Sequence, residues 1–509
     1  MITNHGYLDN PTFRGMRQQL MQTFSEIYLL NLHGNAKKKE VCPDGSKDEN
    51  VFDIQQGVAI GIFVKVQGSP GPARVHYADL WGTREGKYQT LGQMEVITTP
   101  WRELQPQSPF YLFAPQDTAL EHEFKMFWNV MDIFPLNSTG VKTHRDHFVF
   151  DFDNEKLLER IASFRNPAFS DEKIAADYEL KDTRDWKLNI MRNMLAKSNN
   201  WEQHLTKALY RPFDIRYYYH HEHVVELPRD EIMRHLVAGD NLSLNVGRAG
   251  QVTGSILWDV VLCNKLIVDV NLFRRGGNVV FPLYLFTFGK TLKGQRSIPL
   301  SSYWPSSKEG RTPNFNPAFI EDFSGKVGLA FIPDGRGDLE TTLGPEDVFF
   351  YAYAVFHSPT YRQRYSEFLK GDFPRLPLTG NKALFKVLVG LGAELVSLHL
   401  MESPRLETLI TRFHVSGSQE VEWVRYEDSA RRVYINSEQY FEGIPPDVWA
   451  FTIGGYQVCH KWLKDRKGRT LSFEDLHHYQ RVIVALSESI RLMREIDSLI
   501  EAHGGWPIC

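Results

Sequence analysis

The stretch Gly57-Val-Ala-Ile-Gly-Ile-Phe-Val-Lys65 is a near-continuous apolar run, which is typical of a β-strand buried on both faces. Two further strands are predicted before it, at Ile2-Thr3-Asn4 and at Glu26-Ile-Tyr-Leu-Leu-Asn-Leu32. Between those two, apolar residues recur at helical spacing after Thr12, a residue type that caps helices. Strand, helix, strand, loop and strand form half of a doubly wound sheet, so the sequence predicts an α/β fold.

The composition is that of a folded protein without membrane spans. The chain has 509 residues, too many for one hydrophobic core, so we expect two or three domains. The net charge of −4 means that any nucleic-acid binding depends on local basic patches. The four cysteines are scattered without a CxxC pair, which argues against a disulfide framework or a zinc ribbon. We expect a cytoplasmic protein, because neither a membrane span nor a signal peptide is evident.

The strongest concentration of positive charge lies in Trp449–Arg469, around the single acid Asp465. Its first part, Phe451–Val458, is β-branched and aromatic around Gly454-Gly455, which predicts a strand with a bulge or sharp bend. Cations beside aromatic rings are typical of surfaces that bind nucleic acids, and a solvated loop with ordinary lysines is the alternative. The candidate DNA-binding residues here are Tyr456, Lys461, Trp462, Lys464, Arg466, Lys467 and Arg469.

Three shorter basic segments are further candidates for DNA contact. Arg211 and Arg216 flank Asp214, and arginine is the preferred side chain for guanine and phosphate. The alternative there is an Arg–Asp pair that fixes a turn around Pro212. The other two segments are loops, for which solvated surface charge is the alternative: Arg274 with Arg275 before two glycines, and Lys37, Lys38 and Lys39 after a predicted strand.

The run His220-His221-Glu222-His223 raises the question of a metal site. No second, suitably spaced set of ligands accompanies it, so an aromatic strand followed by surface histidines is the favoured interpretation. The sequence therefore predicts no metal site.

Ordered motifs along the whole chain resemble adenine-N6 DNA methyltransferases, above all the type ISP restriction-modification enzymes and their type IIG relatives. The opening segment carries Ile2-Thr3-Asn4, Phe13-Arg14-Gly15-Met16-Arg17 and Leu32-His33-Gly34-Asn35, which are similar to the end of the family's catalytic domain. The resemblance continues through motifs of the family's target-recognition region, including Tyr210–Arg216, Gly454–Val458 and Lys461–Arg466.

The resemblance implies a Rossmann-like methyltransferase sheet, of which this chain carries the C-terminal part in residues 1–130. A mixed α+β target-recognition region would follow, with a proximal lobe at 131–325 and a distal lobe, ending in a helix, at 326–509. Independently of the resemblance, apolar residues at helical spacing between Val482 and Ile500 predict that this last helix runs from about Phe473 to Ala502. The family's activity is adenine methylation from S-adenosylmethionine, with double-stranded DNA as partner.

Two catalytic elements of that family do not occur in this sequence. We find neither the glycine loop that holds S-adenosylmethionine nor the Asn/Asp-Pro-Pro-Tyr type tetrapeptide that grips the flipped adenine. The pair Pro445-Pro446 does not match the tetrapeptide. We therefore expect DNA recognition without methyl transfer, no catalytic residues and no bound cofactor in this chain. Two alternatives remain: a non-catalytic module or inert remnant, and reassembly with a separate chain that carries the N-terminal methyltransferase half.

Overall fold

The computed structural model describes residues 1–36, 40–68, 71–108, 110–115, 119–249, 258–273, 277–287 and 310–508. They form two compact units, the first comprising Met1–His122 with Glu367–Gly371 and the second most of residues 123–509. The divisions near residues 130 and 325 stay predictions.

The first unit contains a five-stranded sheet in the order β1-β3-β2-β4-β5. The strand β3 is antiparallel to both β1 and β2, so β1 and β2 run in the same direction. β4 is parallel to β2, and β5 is antiparallel to β4. The elements are β1 (Ile2–Asn4), α1 (Arg14–Thr23), β2 (Glu26–Asn31), β3 (Val58–Val64), β4 (Arg74–Asp79), α2 (Arg84–Leu91) and β5 (Arg102–Leu104).

The sheet is covered on both faces because its central strand is apolar on both sides. Ile27 and Leu29 of β2 pack into a core with Leu20 of α1. Leu30, which points to the opposite face as strand geometry requires, packs into a second core with Leu91 of α2. The run at 58–64 is the predicted apolar strand, and its position is confirmed.

The sheet differs from a half of a parallel, doubly wound sheet in the directions of β3 and β5. A parallel neighbour needs a crossover connection, usually a helix, whereas the described part of the connection from β2 to β3, at 32–36 and 40–57, contains no helix. Strand β3 therefore runs antiparallel to β2. The fold is a mixed α/β fold with several small sheets, and the α/β class predicted from the sequence is confirmed.

The elements after β5 form several small sheets and a set of packed helices. The candidate residues lie in the hairpin at 205–219 and in the C-terminal elements from residue 452 onward. In chain order, the elements after β5 are α3 (Glu121–Lys125), β6 (Trp128–Asn129), α4 (Val130–Ile133), β7 (Ser138–Thr139), α5 (Asp146–Val149), β8 (Phe150–Asp151), α6 (Asn154–Arg165), α7 (Asp171–Asp177), α8 (Leu188–Ala196), β9 (Leu205–Arg211), β10 (Asp214–Tyr219), α9 (Asp230–Val237), β11 (Ser243–Val246), β12 (Val261–Asn264), β13 (Ile267–Val268), β14 (Val279–Pro282), β15 (Tyr284–Phe286), β16 (Arg311–Pro313), α10 (Pro317–Val327), β17 (Ala330–Phe331), β18 (Thr342–Leu343), α11 (Pro345–His357), α12 (Pro359–Arg364), α13 (Ser366–Leu369), β19 (Arg375–Leu376), α14 (Lys382–His399), β20 (Arg425–Glu427), β21 (Arg432–Tyr434), β22 (Tyr440–Glu442), α15 (Pro446–Ala450), β23 (Thr452–Ile453), β24 (Tyr456–Gln457), α16 (Val458–Lys464) and α17 (Phe473–Ala502).

The core of the second unit is built by α11, α14 and α17, which pack against one another. Every residue of α11 except Glu346 is buried, as expected of a helix that is apolar on all sides. A polar chain runs through this core: the hydroxyl of Tyr353 hydrogen-bonds to His399 Nδ1, and His399 Nε2 lies 2.9 Å from Ser489 Oγ. These contacts join the three helices in one register.

The last helix, α17, spans the residues predicted from the sequence. Ser472 caps it, and Asp475 returns the bond to the backbone of Ser472, which together form a capping box. None of the described helices has the length and apolar content that crossing a membrane requires. The cysteines within the described ranges, Cys42, Cys263 and Cys459, are buried free thiols.

Candidate nucleic-acid interface

The basic stretch 449–469 folds as a hairpin followed by a short helix. Strands β23 and β24 pair across Gly454 and Gly455, whose φ angles of 56° and 69° favour glycine. A Cβ at Gly454 would lie 2.4 Å from a ring carbon of Phe273, so glycine is also required for packing. The predicted bent strand is therefore a tight hairpin, and the predicted basic loop begins as α16.

Asp214, which is fully buried, is the centre of the charged cluster formed by this stretch. Its Oδ2 lies 2.7 Å from Arg216 Nη2, and its Oδ1 lies 2.9 Å from Arg466 Nη2. Burial raises the pKa of the Asp214 carboxyl, but the two guanidinium groups outweigh it and hold the pKa below its ordinary value. One buried carboxylate thus joins the β9–β10 hairpin to the C-terminal segment, 252 residues further along the chain.

The phenyl ring of Phe152 supports the same arginines. The guanidinium carbons of Arg216, Arg466 and Arg469 lie 4.3, 4.8 and 4.0 Å from its centroid. Cations over an aromatic face are attracted by the ring quadrupole, so Phe152 helps to fix three positively charged side chains. We call Phe152, Asp214, Arg216, Arg466 and Arg469 the arginine cluster.

Arg211 is held by a separate ion pair. Its Nη1 lies 2.9 Å from Asp269 Oδ1, and its guanidinium carbon lies 3.8 Å from the ring centroid of Tyr210. The Arg–Asp alternative weighed for the segment Tyr210–Arg216 is thus the arrangement observed, with β9 and β10 on either side of the turn at 212–213. Arg211 and Arg216 donate to carboxylates of this chain.

Tyr456 and Trp462 lie inside the protein. Tyr456 is 5% exposed and its hydroxyl donates to Asp465 Oδ2 at 3.1 Å. Trp462 is 1% exposed and packs on Tyr479 of α17, with ring centroids 5.3 Å apart. In this conformation neither ring is available to stack on a base, and the same holds for the buried guanidinium of Arg466.

The cations left at the surface of the stretch are Lys464 and Lys467, which are exposed, and Lys461 and Arg469, which are half-buried. The positions of Lys461 and Lys464 follow from the helical geometry of α16, because Trp462 and Leu463 point inward and the two lysines flank them. Lys467 and Arg469 lie in the turn after this helix. The arrangement can present positive charge to phosphates on a rigid support.

A family model, the Type ISP C-terminal specificity domain, matches residues 132–495. The chain belongs to the Type ISP specificity family. The matched range contains the arginine cluster and the surface lysines of α16. None of the curated proteins matches the chain.

Solved structures with a similar fold cover almost all of this Type ISP chain. The ATP-dependent Type ISP restriction-modification enzyme LlaBIII bound to DNA matches with TM-score 0.71 at 20% identity, over 97% of this chain and 33% of that one. A DrdV–DNA complex matches with TM-score 0.72 at 19% identity, over 97% and 50%. A nuclease-deletion mutant of the Type ISP enzyme LlaGI, in complex with a DNA substrate mimic, matches with TM-score 0.67 at 20% identity, over 97% and 38%. The chain therefore spans between a third and a half of the length of these structures.

Five basic residues expected at DNA lie outside the described ranges of this Type ISP chain, namely Lys37, Lys38, Lys39, Arg274 and Arg275. Their role stays a prediction.

Histidine rings before β9 and after β10 pack edge to face or tilted against one another in this Type ISP specificity region. The rings of His204 and His221 have centroids 4.3 Å apart at an interplanar angle of 69°, and those of His221 and His223 are 4.7 Å apart at 54°. Burial and the neighbouring histidines lower the pKa of His221 to about 4. Among the described residues, the cluster whose ligand atoms are close enough for a metal ion lies elsewhere, at His5, His33 and Glu40.

Sequence reasoning did not find Phe152 as the support of the arginines. Phe152 precedes α6 and is far in sequence from Arg216, Arg466 and Arg469, so no local spacing connects them. A second feature was also missed: Arg425 lies over the rings of Trp423 and Tyr434, at 5.7 and 4.9 Å, on the β20–β22 sheet. Only the alternation of basic and aromatic residues around β20 could have indicated it.

Proposed function

We propose that this chain is the DNA-recognition part of an adenine-specific restriction-modification methyltransferase. The observation that carries the proposal is the family match over 132–495, which includes the surface lysines supported by the arginine cluster. The similar structures named above are bound to DNA or to a DNA substrate mimic, and double-stranded DNA is accordingly the proposed partner.

We assign the first unit to the end of a Rossmann-like methyltransferase sheet. Strands β1, β2 and β4 share a direction, and helices cover both faces, as in doubly wound folds. Methyl transfer from S-adenosylmethionine, in the cytoplasm, would be an activity of a longer assembly, because this sequence has neither the glycine loop nor the Pro-Pro tetrapeptide of the family. An N-terminal methyltransferase half on a separate chain is one form of that assembly.

Within the site, we divide the candidate residues by exposure. Lys464 and Lys467 contact phosphates, with Lys461 and Arg469 beside them. Arg466, Tyr456 and Trp462 position that surface from inside. The half-buried Arg216 is held by the same carboxylate, Asp214, and Arg211 fixes the neighbouring hairpin. Phosphate contacts orient a protein on the duplex, whereas base contacts specify the sequence, so these lysines govern affinity more than specificity.

The first test is selection of the purified chain on a randomised duplex pool at two salt concentrations, with the retained DNA sequenced. We expect an enriched motif. The double variant K464A/K467A should bind every duplex more weakly, and the slope of log affinity against log salt should become shallower by about 0.9 for each phosphate that the variant no longer neutralises. Stability should stay within about 0.5 kcal/mol of the parent, since both side chains are exposed.

The matched control is K173A/K326A, which removes the same charge from two lysines already paired to Asp177 and Asp322 on their own helices. It should leave affinity and salt slope close to the parent values. Equal reductions in both double variants would show that the effect is one of net charge and would contradict the assignment of Lys464 and Lys467 to phosphate contacts.

A further inference from the structure

A cluster of two histidines and one carboxylate lies in the first unit, at the end of the sheet where β2 and β4 finish. His5 follows β1, His33 follows β2, and Glu40 lies in the segment after it. One possible ligand atom from each of the three lies within 4.8 Å of the other two. His5 and His33 are 9% and 6% exposed, so the cluster is enclosed.

His33 lies between two carboxylates. Its Nε2 is 2.7 Å from Asp79 Oδ1 and its Nδ1 is 3.0 Å from Glu40 Oε1. The ring stacks on Trp81 with centroids 3.3 Å apart, which fixes its plane. Asp79 is itself oriented by the hydroxyl of Tyr77, which donates to the same oxygen at 2.5 Å. At metal sites, a ligating histidine commonly donates its outer N–H to an oriented carboxylate in this way.

The tautomer of His5 follows from the hydrogen bonds around Asn31. The Oδ1 of Asn31 accepts the backbone N–H of His33 at 3.1 Å, which fixes the orientation of the amide. His5 Nδ1, 3.1 Å from the same oxygen, must therefore donate to it. In the neutral ring, Nε2 then carries the lone pair, and it faces Asn35 Nδ2 at 3.2 Å.

The carboxylate of Glu40 is oriented as well. Its Oε2 accepts the backbone N–H of Asn35 at 2.9 Å, which leaves Oε1 directed at His33. The ring of His5 fits only because residue 57 is glycine: a Cβ there would lie 2.4 Å from His5 Cε1. All three side chains are thus held by partners outside the triangle that they form.

We propose that His5 Nε2, His33 Nδ1 and Glu40 Oε1 bind a single divalent transition-metal ion of the zinc type. Two imidazoles and one carboxylate are a known ligand set for zinc, with the fourth position taken by water. Ligand atoms of a tetrahedral zinc site are about 3.3 Å apart, as follows from bond lengths of about 2.0 to 2.1 Å. The 3.0 Å between His33 Nδ1 and Glu40 Oε1 is close to this value, and a ring nitrogen of His5 lies within 4.8 Å of the other two ligands.

Binding would replace the proton between His33 Nδ1 and Glu40 Oε1, and that proton would leave to solvent. Asp79 and Asn31 would keep their bonds to the outer nitrogens, whereas Asn35 Nδ2 would lose its hydrogen bond to the lone pair of His5 Nε2. The ion would fasten the segments after β1 and β2 to the segment that contains Glu40. This fastening does not depend on the proposed DNA function.

The test is titration of the full chain, freed of metal by a chelator, with Zn²⁺ and separately with Mg²⁺. We expect one Zn²⁺ per chain, a higher thermal unfolding temperature on binding, and no comparable effect of Mg²⁺, which prefers oxygen ligands. X-ray absorption of the zinc-loaded protein should show two imidazoles, oxygen and no sulfur. No stoichiometric zinc, or a sulfur ligand, would overturn the proposal.

The variant E40Q keeps an acceptor for the backbone of Asn35 but loses the anionic ligand, and it should bind Zn²⁺ at least about 10-fold more weakly. H221N, which alters the group of packed histidines in the second unit, is the matched control and should bind like the parent. Unchanged affinity in E40Q, or loss of zinc in H221N, would place the ion elsewhere. If E40Q fails to fold without metal, the absorption spectrum of the parent protein still decides the question.

Discussion

The two units each contain a buried polar cluster, and the two clusters have opposite charge patterns. In the second unit, one carboxylate, Asp214, lies between the cations Arg216 and Arg466. In the first unit, one imidazole, His33, lies between the carboxylates Glu40 and Asp79. Arginine does not lose its proton in proteins, whereas histidine titrates near neutral pH. The arginine cluster is therefore a fixed support for the basic surface, and the histidine cluster can exchange its proton.

The largest expected effect is that of D214N. Removing the one buried anion leaves two guanidinium groups without their main partner, which costs about 3 kcal/mol of unfolding free energy. This is the low end of the usual range, because Asp465 remains 3.9 Å from Arg216 and Asp475 remains 3.8 Å from Arg466. Urea unfolding measures the change. The control is D465N, at a partly exposed position, where we expect a destabilisation of less than about 1 kcal/mol. Equal destabilisation in D214N and D465N would contradict the central role of Asp214 in the arginine cluster.

A smaller effect is expected for F152L, which keeps an apolar side chain but removes the ring beneath three guanidinium groups. Cation–π interactions contribute from about 0.5 kcal/mol at exposed sites to about 2 kcal/mol when desolvated, and they are not additive here, so we expect a destabilisation of about 1 to 2 kcal/mol. DNA affinity should also fall, because Arg469 and its neighbours no longer have their support. The variant F152Y, which retains a ring, should behave like the parent; a destabilisation equal to that of F152L would argue against the ring as the cause.

The smallest effect is a pH dependence that arises in the histidine cluster. Burial lowers the pKa of His33, but the hydrogen bonds to Asp79 and Glu40 outweigh it, so the pKa lies above its ordinary value of 6.5. The resulting stabilisation is complete below about pH 6.5 and is lost as the pH rises through the folded-state pKa. Glu40 shifts in the opposite direction. Burial raises the pKa of its carboxyl, but the hydrogen bond from His33 outweighs burial, so the pKa lies below its ordinary value. That contribution is present above about pH 4.5 and is lost on acidification.

Unfolding measured with chelator present, from pH 5 to 9, tests this dependence. H33Q should flatten the decline on the alkaline side, whereas H221N should leave it as in the parent. An unchanged alkaline decline in H33Q would assign the dependence to another group. D214N, by contrast, should alter stability by a constant amount over this range, since the Asp214 carboxyl titrates below it.

Much of the local structure could be predicted because it depends on neighbours in the chain. The apolar run at 58–64 forms a strand, and the capped, periodic segment after Ser472 forms α17 over the predicted range. The mixed α/β class follows from such segments. The membership in the Type ISP family, expected from ordered motifs, is confirmed by the match over 132–495.

The environment of each charged side chain was decided by tertiary structure. The spacing of Lys464, Arg466 and Lys467 does not indicate which of these side chains is exposed and which is buried. In the structure, Arg466 is buried against a carboxylate 252 residues away in sequence, whereas the two lysines are exposed. The cluster of His5, His33 and Glu40 likewise cannot be predicted from sequence spacing, because its members come from separate segments that the fold brings together. Helical and strand periodicity act over a few residues, whereas the pairing of buried charges depends on which segments pack together. The sequence by itself thus determined the elements and the family, and the packing of those elements determined which polar groups lie at the surface and which hold the fold.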